Sequence, residues 1–488
     1  MRSSSLALLL LLLLAAPLAA SPQGDPRLDE ARSLFGQNRE PVMRQAADLC
    51  LAVGDAEAME VLMRELKGPN PHSRDIVWEA MKRFTDPYAW QVVEHELKTN
   101  KQQPRVRQWC AQLLGIYGED SMGGTLAKAM KDKESSVRYA AARSLGQLGF
   151  APGVKALASA AGDKAPMLRA NALEALVRIE PENYAKRFLA ALADKDGGVR
   201  CALLGLTPEL FPAEAEALAT TGLTDEDWRP RLQAVENLGA IKTKTSVDGL
   251  IEATGDGRPR VAQAAGDRLR AMTGMAYARQ EQWRAWWAKA RESFEFPEGT
   301  GQGQASAADT VATYNGIRVS SDHIAFLLDI SKDMVDPRTS DQVRKIDAAV
   351  AELQRVLEML EGEMVFNAHL YSDQVEAIFK EPEELSKRSR KKALAELEDA
   401  SLKGYKNIWG ALEAVVSDPQ LDTVYLLSAG EPEVGLYVHW NRVTEHLMDL
   451  NRFHKVVVHT VAYSGNDWYR EQLKKIAEVT GGDYAWFD

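Results

Sequence analysis

Three short polar segments hold the side chains best placed to do chemistry in this chain. They are Asp329-Ile330-Ser331-Lys332-Asp333, Gly404-Tyr405-Lys406-Asn407-Ile408 and Ser428-Ala429-Gly430-Glu431-Pro432. The first directly follows the apolar run His323 to Leu328, and the third follows Thr423 to Leu427. The second leads into a helical pattern from Ile408 to Val416. Continuous apolar strands separated by helices predict a mostly parallel sheet covered on both faces. Ligands of such sheets bind at the carboxyl ends of the strands. The segments therefore predict a binding surface. Catalysis finds no comparable constellation. Gly-x-Ser-x-Gly, His-Glu-x-x-His, a phosphate loop and a dinucleotide fingerprint are all absent from the sequence. His439, His446, His454 and His459 cluster only in sequence and read as surface or core residues. Glu361 and Glu363 are neighbours in a turn, with nothing to place them as an acid/base pair. The expectation is a protein that is not an enzyme.

The elements that must position these segments follow from the same alternation. Gln342 to Leu360 predicts an amphipathic helix. Met364 to Tyr371 and Val375 to Phe379 predict strands paired through Ser372-Asp373. The basic run Lys387 to Lys392 reads as the solvated start of a helix. Helices are expected at Trp440 to Leu450 and Trp468 to Val479, and strands at Lys455 to Tyr463 and Tyr484 to Phe487.

The three segments, in this order, resemble the metal-ion-dependent adhesion site of von Willebrand factor A-like domains. The resemblance covers about residues 316–488 and implies an α/β doubly wound, mostly parallel sheet. In that family an Asp-x-Ser-x-Ser motif, a Thr and an Asp in a Thr-Asp-Gly turn bind Mg²⁺, which requires hard oxygen ligands. A partner carboxylate completes the octahedron. Asp329 and Ser331 match the motif. Asp333 stands at the second Ser, Lys406 at the Thr before a matching Asn407-Ile408, and Ala429 at the second Asp. The resemblance thus implies a degenerate binding site made by Asp329, Ser331, Asp333, Lys406, Asn407 and Ala429. An ammonium and a metal ion compete for one pocket. Lys406 is expected to fill the metal's seat and neutralise Asp329 and Asp333, so that no cofactor is bound. The alternative keeps Asp329, Ser331 and Asp333 as a weak Mg²⁺ site, with Lys406 swung out to solvent.

An arginine recurs through the first half, at Arg44, Arg74, Arg107, Arg138, Arg169, Arg200, Arg231 and Arg260. The steps of 30, 33, 31, 31, 31, 31 and 29 residues mark a stack of helical hairpins. Asp132, Asp163, Asp194 and Asp225 sit six residues before four of these arginines. Each Asp falls in a turn, where it can cap a helix or face an Arg of its own or an adjacent unit. The Val-Arg-x-x-Ala-x-x-x-Leu core resembles short HEAT-like repeats, close to those of phycobilisome-lyase-type HEAT proteins. That implies an α-solenoid over residues 28–292. Trp283, Trp286 and Trp287 share one helix face and are expected to seal its end. A lyase-type activity is the remote alternative that the resemblance raises.

Residues 293–315 lose helical periodicity and carry Gly299, Gly301 and Gly303, the composition of a flexible linker. At the start, Arg2, the apolar Leu6 to Ala16 and the small residues of 17–20 read as a signal peptide, residues 1–20. An extracytoplasmic protein is expected, periplasmic or secreted and bacterial in flavour. The net charge of −11 offers no footprint for nucleic acid. No later segment is apolar enough to span a membrane. Cys50, Cys110 and Cys201 are odd in number and widely spaced, against a disulfide framework. The expected partners are proteins, met by an interaction scaffold.

Overall fold

The computed structural model describes residues 24–297, 312–338, 340–360, 363–463 and 466–487. The expected signal peptide, residues 298–311 of the linker, and Glu361 lie outside the described residues. The chain divides into two compact units, 1–96 and 97–488.

The first unit carries the helices Pro26–Phe35, Glu40–Val53, Ala56–Leu66 and Pro71–Met81. Its interior is built from residues such as Leu28, Met43, Met59, Leu62 and Val77. Asp55 and Asn70 accept hydrogen bonds from the first-turn N–H groups of the helices they precede.

The second unit opens with six long helices in series: Pro104–Tyr117, Ser135–Leu148, Pro166–Ile179, Gly197–Leu210, Trp228–Ile241 and Pro259–Thr273. Shorter helices alternate with them, for instance Val154–Ala160 and Lys244–Ala253. Successive long helices approach closely. A Cβ on Gly146 would stand 2.8 Å from the Ala175 Cα, so only glycine allows this crossing. Cys110 and Cys201 are fully buried among the helices as small apolar residues, and burial pushes the Cys201 thiol up to about 12. Trp283 and Trp287 are buried, and the Trp287 Nε1 donates to Asp248 at 2.6 Å, which seals the last hairpin.

The recurring arginine is a rung between neighbouring units. Arg107 grips Asp132 with two bonds of 2.7 and 2.9 Å. Arg169–Asp194, Arg200–Asp225 and Arg231–Asp256 repeat the grip. Arg138–Asp163 is looser, at 3.7 Å. Asp132, Asp163, Asp194 and Asp225 also accept the N–H two residues on, and their carbonyls accept from the Arg of their own unit. The Asp therefore ties the turn to two arginines at once.

Two of the eight recurring arginines stand off the rung position in their helices. A rung arginine stands four residues after the residue that starts its helix, as Arg231 does after Asp227. Arg44 stands five after Arg39, and its exposed side chain pairs with Glu40 at 2.6 Å. Arg260 stands only two after Arg258, and Ala262 occupies the rung position. Arg260 is thus the counterpart of Arg229, a different face of the helix.

The rest of the unit is a two-stranded hairpin and a seven-stranded sheet. The hairpin pairs β1 (Thr313–Tyr314) with β2 (Ile317–Arg318). The sheet contains β3 (His323–Asp329), β4 (Val365–Tyr371), β5 (Val375–Ala377), β6 (Glu383–Glu384), β7 (Thr423–Ser428), β8 (Val457–Ala462) and β9 (Tyr484–Trp486). Its order is β5-β4-β3-β7-β8-β9, with β6 on β4; β4, β3, β7, β8 and β9 are parallel. β3, β7 and β8 are buried almost throughout, as their unbroken apolar runs require. Helices Lys345–Met359, Ile408–Val416, Trp440–His454 and Asp467–Thr480 cover the sheet.

The helical array holds this α/β domain from the amino ends of its strands. Arg258 pairs at 2.6 Å with the fully buried Asp422, just before β7. Lys455, just before β8, pairs with Glu236 at 2.7 Å. Along helix Trp440–His454, Arg452 reaches Glu174 at 2.6 Å and Asp449 pairs with Arg143. Phe453 is 3 % exposed and packs among Leu173, Val177, Phe188 and Leu203 of the array. Arg442 lies over the rings of Tyr437 and Trp109, 4.8 and 5.9 Å from their centroids. The array face that the sequence left open to partners is here occupied, in part, by the chain's own second domain.

Candidate functional site

The three polar segments meet at the carboxyl end of the sheet, opposite the ends that the array grips. The first leaves β3 at Asp329, the second precedes helix Ile408–Val416, and the third leaves β7 at Ser428.

Asp329 is fully buried. Its two oxygens accept the backbone N–H of Ser331 at 2.8 Å and of Ala429 at 2.9 Å. Burial raises its pKa, against the pull of those bonds, of the Ser331 hydroxyl and of the Lys406 charge. Asp329 is thus a brace between two loops. Ala429, standing where a carboxylate is expected, contributes only its N–H. Asn407 caps the helix it precedes, accepting from the Gly410 N–H at 2.9 Å. Its side chain is a structural cap, and a Cβ on Gly435 would strike it at 2.1 Å.

Lys406 is 1 % exposed and points inward. Its ammonium contacts the Asp333 carboxylate and lies 2.6 Å from Glu433. A Cβ on Gly430 would come within 3.2 Å of its Nζ, so glycine makes room for the ammonium. Burial works against the charge, but the bonds to Asp333 and Glu433 and the field of Asp329 outweigh it and raise the pKa.

This geometry corrects the expected triad. Lys406 pairs with Asp333 and Glu433, whereas Asp329 is occupied by two backbone donors. The reason is positional: Asp329 ends a buried strand facing the loop backbones, while Asp333 and Glu433 sit on the loops flanking the lysine. Nothing in the sequence marks Glu433, which lies just past the Ser428–Pro432 segment and carries no motif. Lys406 and Glu433 are also tied through backbone, the Glu433 N–H donating to the Lys406 carbonyl at 3.0 Å.

A divalent cation fits this donor set poorly. The carboxylates nearest the centre already neutralise a fixed ammonium, and Ala429 has no oxygen to offer in its side chain. Elsewhere in this domain Asp322, His323 and Asp422 lie close enough to hold a metal. Asp422, however, is committed to Arg258 and to the hydroxyls of Ser321 and Thr423.

Three large apolar side chains are exposed on segments at the carboxyl end of the sheet. Val335, Tyr405 and Trp468 are 46, 46 and 55 % exposed, on segments after β3, before helix Ile408–Val416 and after β8. The Lys332 ammonium lies 4.1 Å above the Tyr405 ring and fixes it at the rim.

The human von Willebrand factor A domain-containing protein 3B is 24 % identical over 174 residues, 35 % of this chain. The chain spans only 12 % of that protein's length. Among solved structures, a von Willebrand factor type A protein from Catenulispora acidiphila is 16 % identical, covering 35 % of this chain and 40 % of its own, with a TM-score of 0.30. The CpcE–CpcF complex of phycocyanin lyase from Nostoc sp. PCC7120 is 20 % identical, covering 47 and 94 %, with a TM-score of 0.29. Family profiles match HEAT repeats at residues 124–206 and the von Willebrand factor type A domain at residues 323–487. The chain therefore carries HEAT repeats followed by a von Willebrand factor type A domain.

Proposed function

We propose that this chain is an exported, non-enzymatic scaffold whose A-type domain binds a protein partner without a bridging metal. Residues 1–20 act as the signal peptide, 28–292 as the repeat array, 293–315 as the linker and 316–488 as the binding domain. No helix of the described residues is long and apolar enough to cross a membrane.

The observation that carries this reading is the Lys406 ammonium between Asp333 and Glu433. A fixed internal cation takes the role that Mg²⁺ plays in the adhesion site and removes the need for a partner carboxylate. Recognition then rests on shape and on the apolar rim of Val335, Tyr405 and Trp468, residue types that suit a protein interface. The array supports this by holding the domain from its far end. Its role is that of a pedestal as well as a scaffold.

Calorimetric titration of Mg²⁺ and Mn²⁺ into the full chain tests the proposal. The native protein is expected to be silent, and the Lys406→Thr/Ala429→Asp/Asp333→Ser variant to bind. Micromolar binding by the native protein would sink the metal-free reading. It would return Asp329, Ser331 and Asp333 to the role of Mg²⁺ ligands.

A further inference from the structure

Between the array and the A-type domain lies an open cavity of about 610 Å³. Its walls come from helices Trp228–Ile241, Pro259–Thr273 and Trp440–His454 and from the end of helix Asp467–Thr480. Arg260 and Arg268 line it.

Arg260 lacks the compensation its counterpart has. Arg229 is held by Asp227, two residues earlier, through bonds of 2.6–3.2 Å. The residue two before Arg260 is Arg258, itself turned away to Asp422. Arg260 makes no ion pair or hydrogen bond among the described residues, and its Nε is shut off from solvent without a partner. Arg268 has no ion pair among the described residues either. The carboxylates in the wall are already engaged: Glu236 by Lys455, Asp267 by Arg270 and, more loosely, Glu478 by Lys474. Desolvation pulls the Arg260 pKa below its usual value, against the fields of Asp422, Glu236 and Asp267, none of which bonds to it.

A half-buried guanidinium whose Nε has neither solvent nor a partner gains from an anion that completes it. Its planar fork suits a carboxylate or phosphate gripped by two parallel bonds. The cavity lies within the usual size range for small-molecule sites and at a domain junction, where such sites concentrate. Leu232, Ala264 and Met448 supply apolar wall beside the two arginines.

We infer that this junction cavity binds a small organic anion whose carboxylate or phosphate group sits on Arg260, with Arg268 as the second contact. Ligand there would touch both domains and so tighten their docking. This site is remote from Lys406 and independent of the metal-free reading.

The test uses the full chain with citrate and inorganic phosphate as probes, each against sodium chloride of equal ionic strength. Isothermal titration and the thermal midpoint are read together. The expected result is saturable binding of at least one probe in the millimolar range or tighter, with a raised midpoint. Arg260→Met is expected to weaken it about tenfold or more. Arg268→Gln is expected to weaken it less, and serves alone if the first variant does not fold. Citrate binding alone assigns a carboxylate ligand, and phosphate binding alone assigns a phosphate ester. No saturable binding of either probe up to about 10 mM overturns the inference. So does equal binding by the native chain and the folded variants.

Discussion

The Lys406 ammonium lies 2.6 Å from a carboxylate oxygen of Glu433, an ion pair that joins two loops at the carboxyl end of the sheet. Glu433 was invisible as a site residue in the sequence, yet it supplies the second counter-charge that lets a lysine stay buried. Glu433→Gln is expected to lower stability by about 1–3 kcal/mol, since Asp333 still pairs with the lysine. Lys406→Met should cost at least as much, because two neighbouring carboxylates are left facing each other. Urea denaturation measures both. No loss in either variant contradicts the buried triad.

The rungs of the array differ in geometry and should differ in energy. Arg169 grips Asp194 with bonds of 2.9 and 2.7 Å, whereas Arg138 stands 3.7 Å from Asp163. Asp194→Ala is expected to cost about 2–3 kcal/mol. The coupling across Arg138–Asp163 should be under about 1 kcal/mol. Both Asp residues also accept the N–H two residues on, so that loss is common to the two variants. Double-mutant cycles on the two pairs give the comparison, and equal coupling energies would refute the ladder reading.

Phe453 is the apolar anchor of the domain junction. Phe453→Ala opens a cavity among Leu173, Val177, Phe188 and Leu203 and should cost about 3–5 kcal/mol. Hydrogen exchange should rise in helices Pro166–Ile179 and Gly197–Leu210, while the Lys406 loops stay protected. Unchanged exchange in those helices would show that the docked arrangement does not depend on this anchor.

Acid should destabilise the chain before its carboxylates titrate. Burial lowers the pKa of His369 and His454 to about 4 and of His459 to about 3, and takes that of His446 well below 6.5. Above pH 6.5 these rings are neutral in folded and unfolded chain alike. Below it the unfolded chain takes up protons first, so stability falls as pH drops from about 6.5 to about 4. A shift of the size seen for His369 corresponds to about 3 kcal/mol once fully expressed. Asp329 and Asp483, both with a pKa raised by burial, act in the opposite sense, but among the described residues these two oppose four histidines. The urea midpoint should therefore fall between pH 7 and pH 5. A constant or rising midpoint would contradict the buried, neutral histidines.

Much of the architecture was legible in the chain alone, for local reasons. The alternating apolar runs determined the strands β3, β4, β7 and β8, because a strand buried on both faces must be apolar throughout. The 31-residue spacing of Arg and the Asp six residues before it determined the hairpin repeat, because identical units must stack in identical register. Departures at Asp333, Lys406 and Ala429 were enough to expect an internal cation. What the sequence could not specify were partners distant along the chain. That each Asp, besides serving its own turn, pairs with the arginine of the preceding unit was decided by a contact 25 residues away. That Arg260 is no rung was decided by where its helix starts, a boundary the 29-residue step conceals. Glu433 in place of Asp329 beside Lys406, and Phe453 seated in the array, depend on loop course and domain docking. Periodicity records which face of an element is buried. Only the tertiary structure brings two faces together and decides which charge meets which.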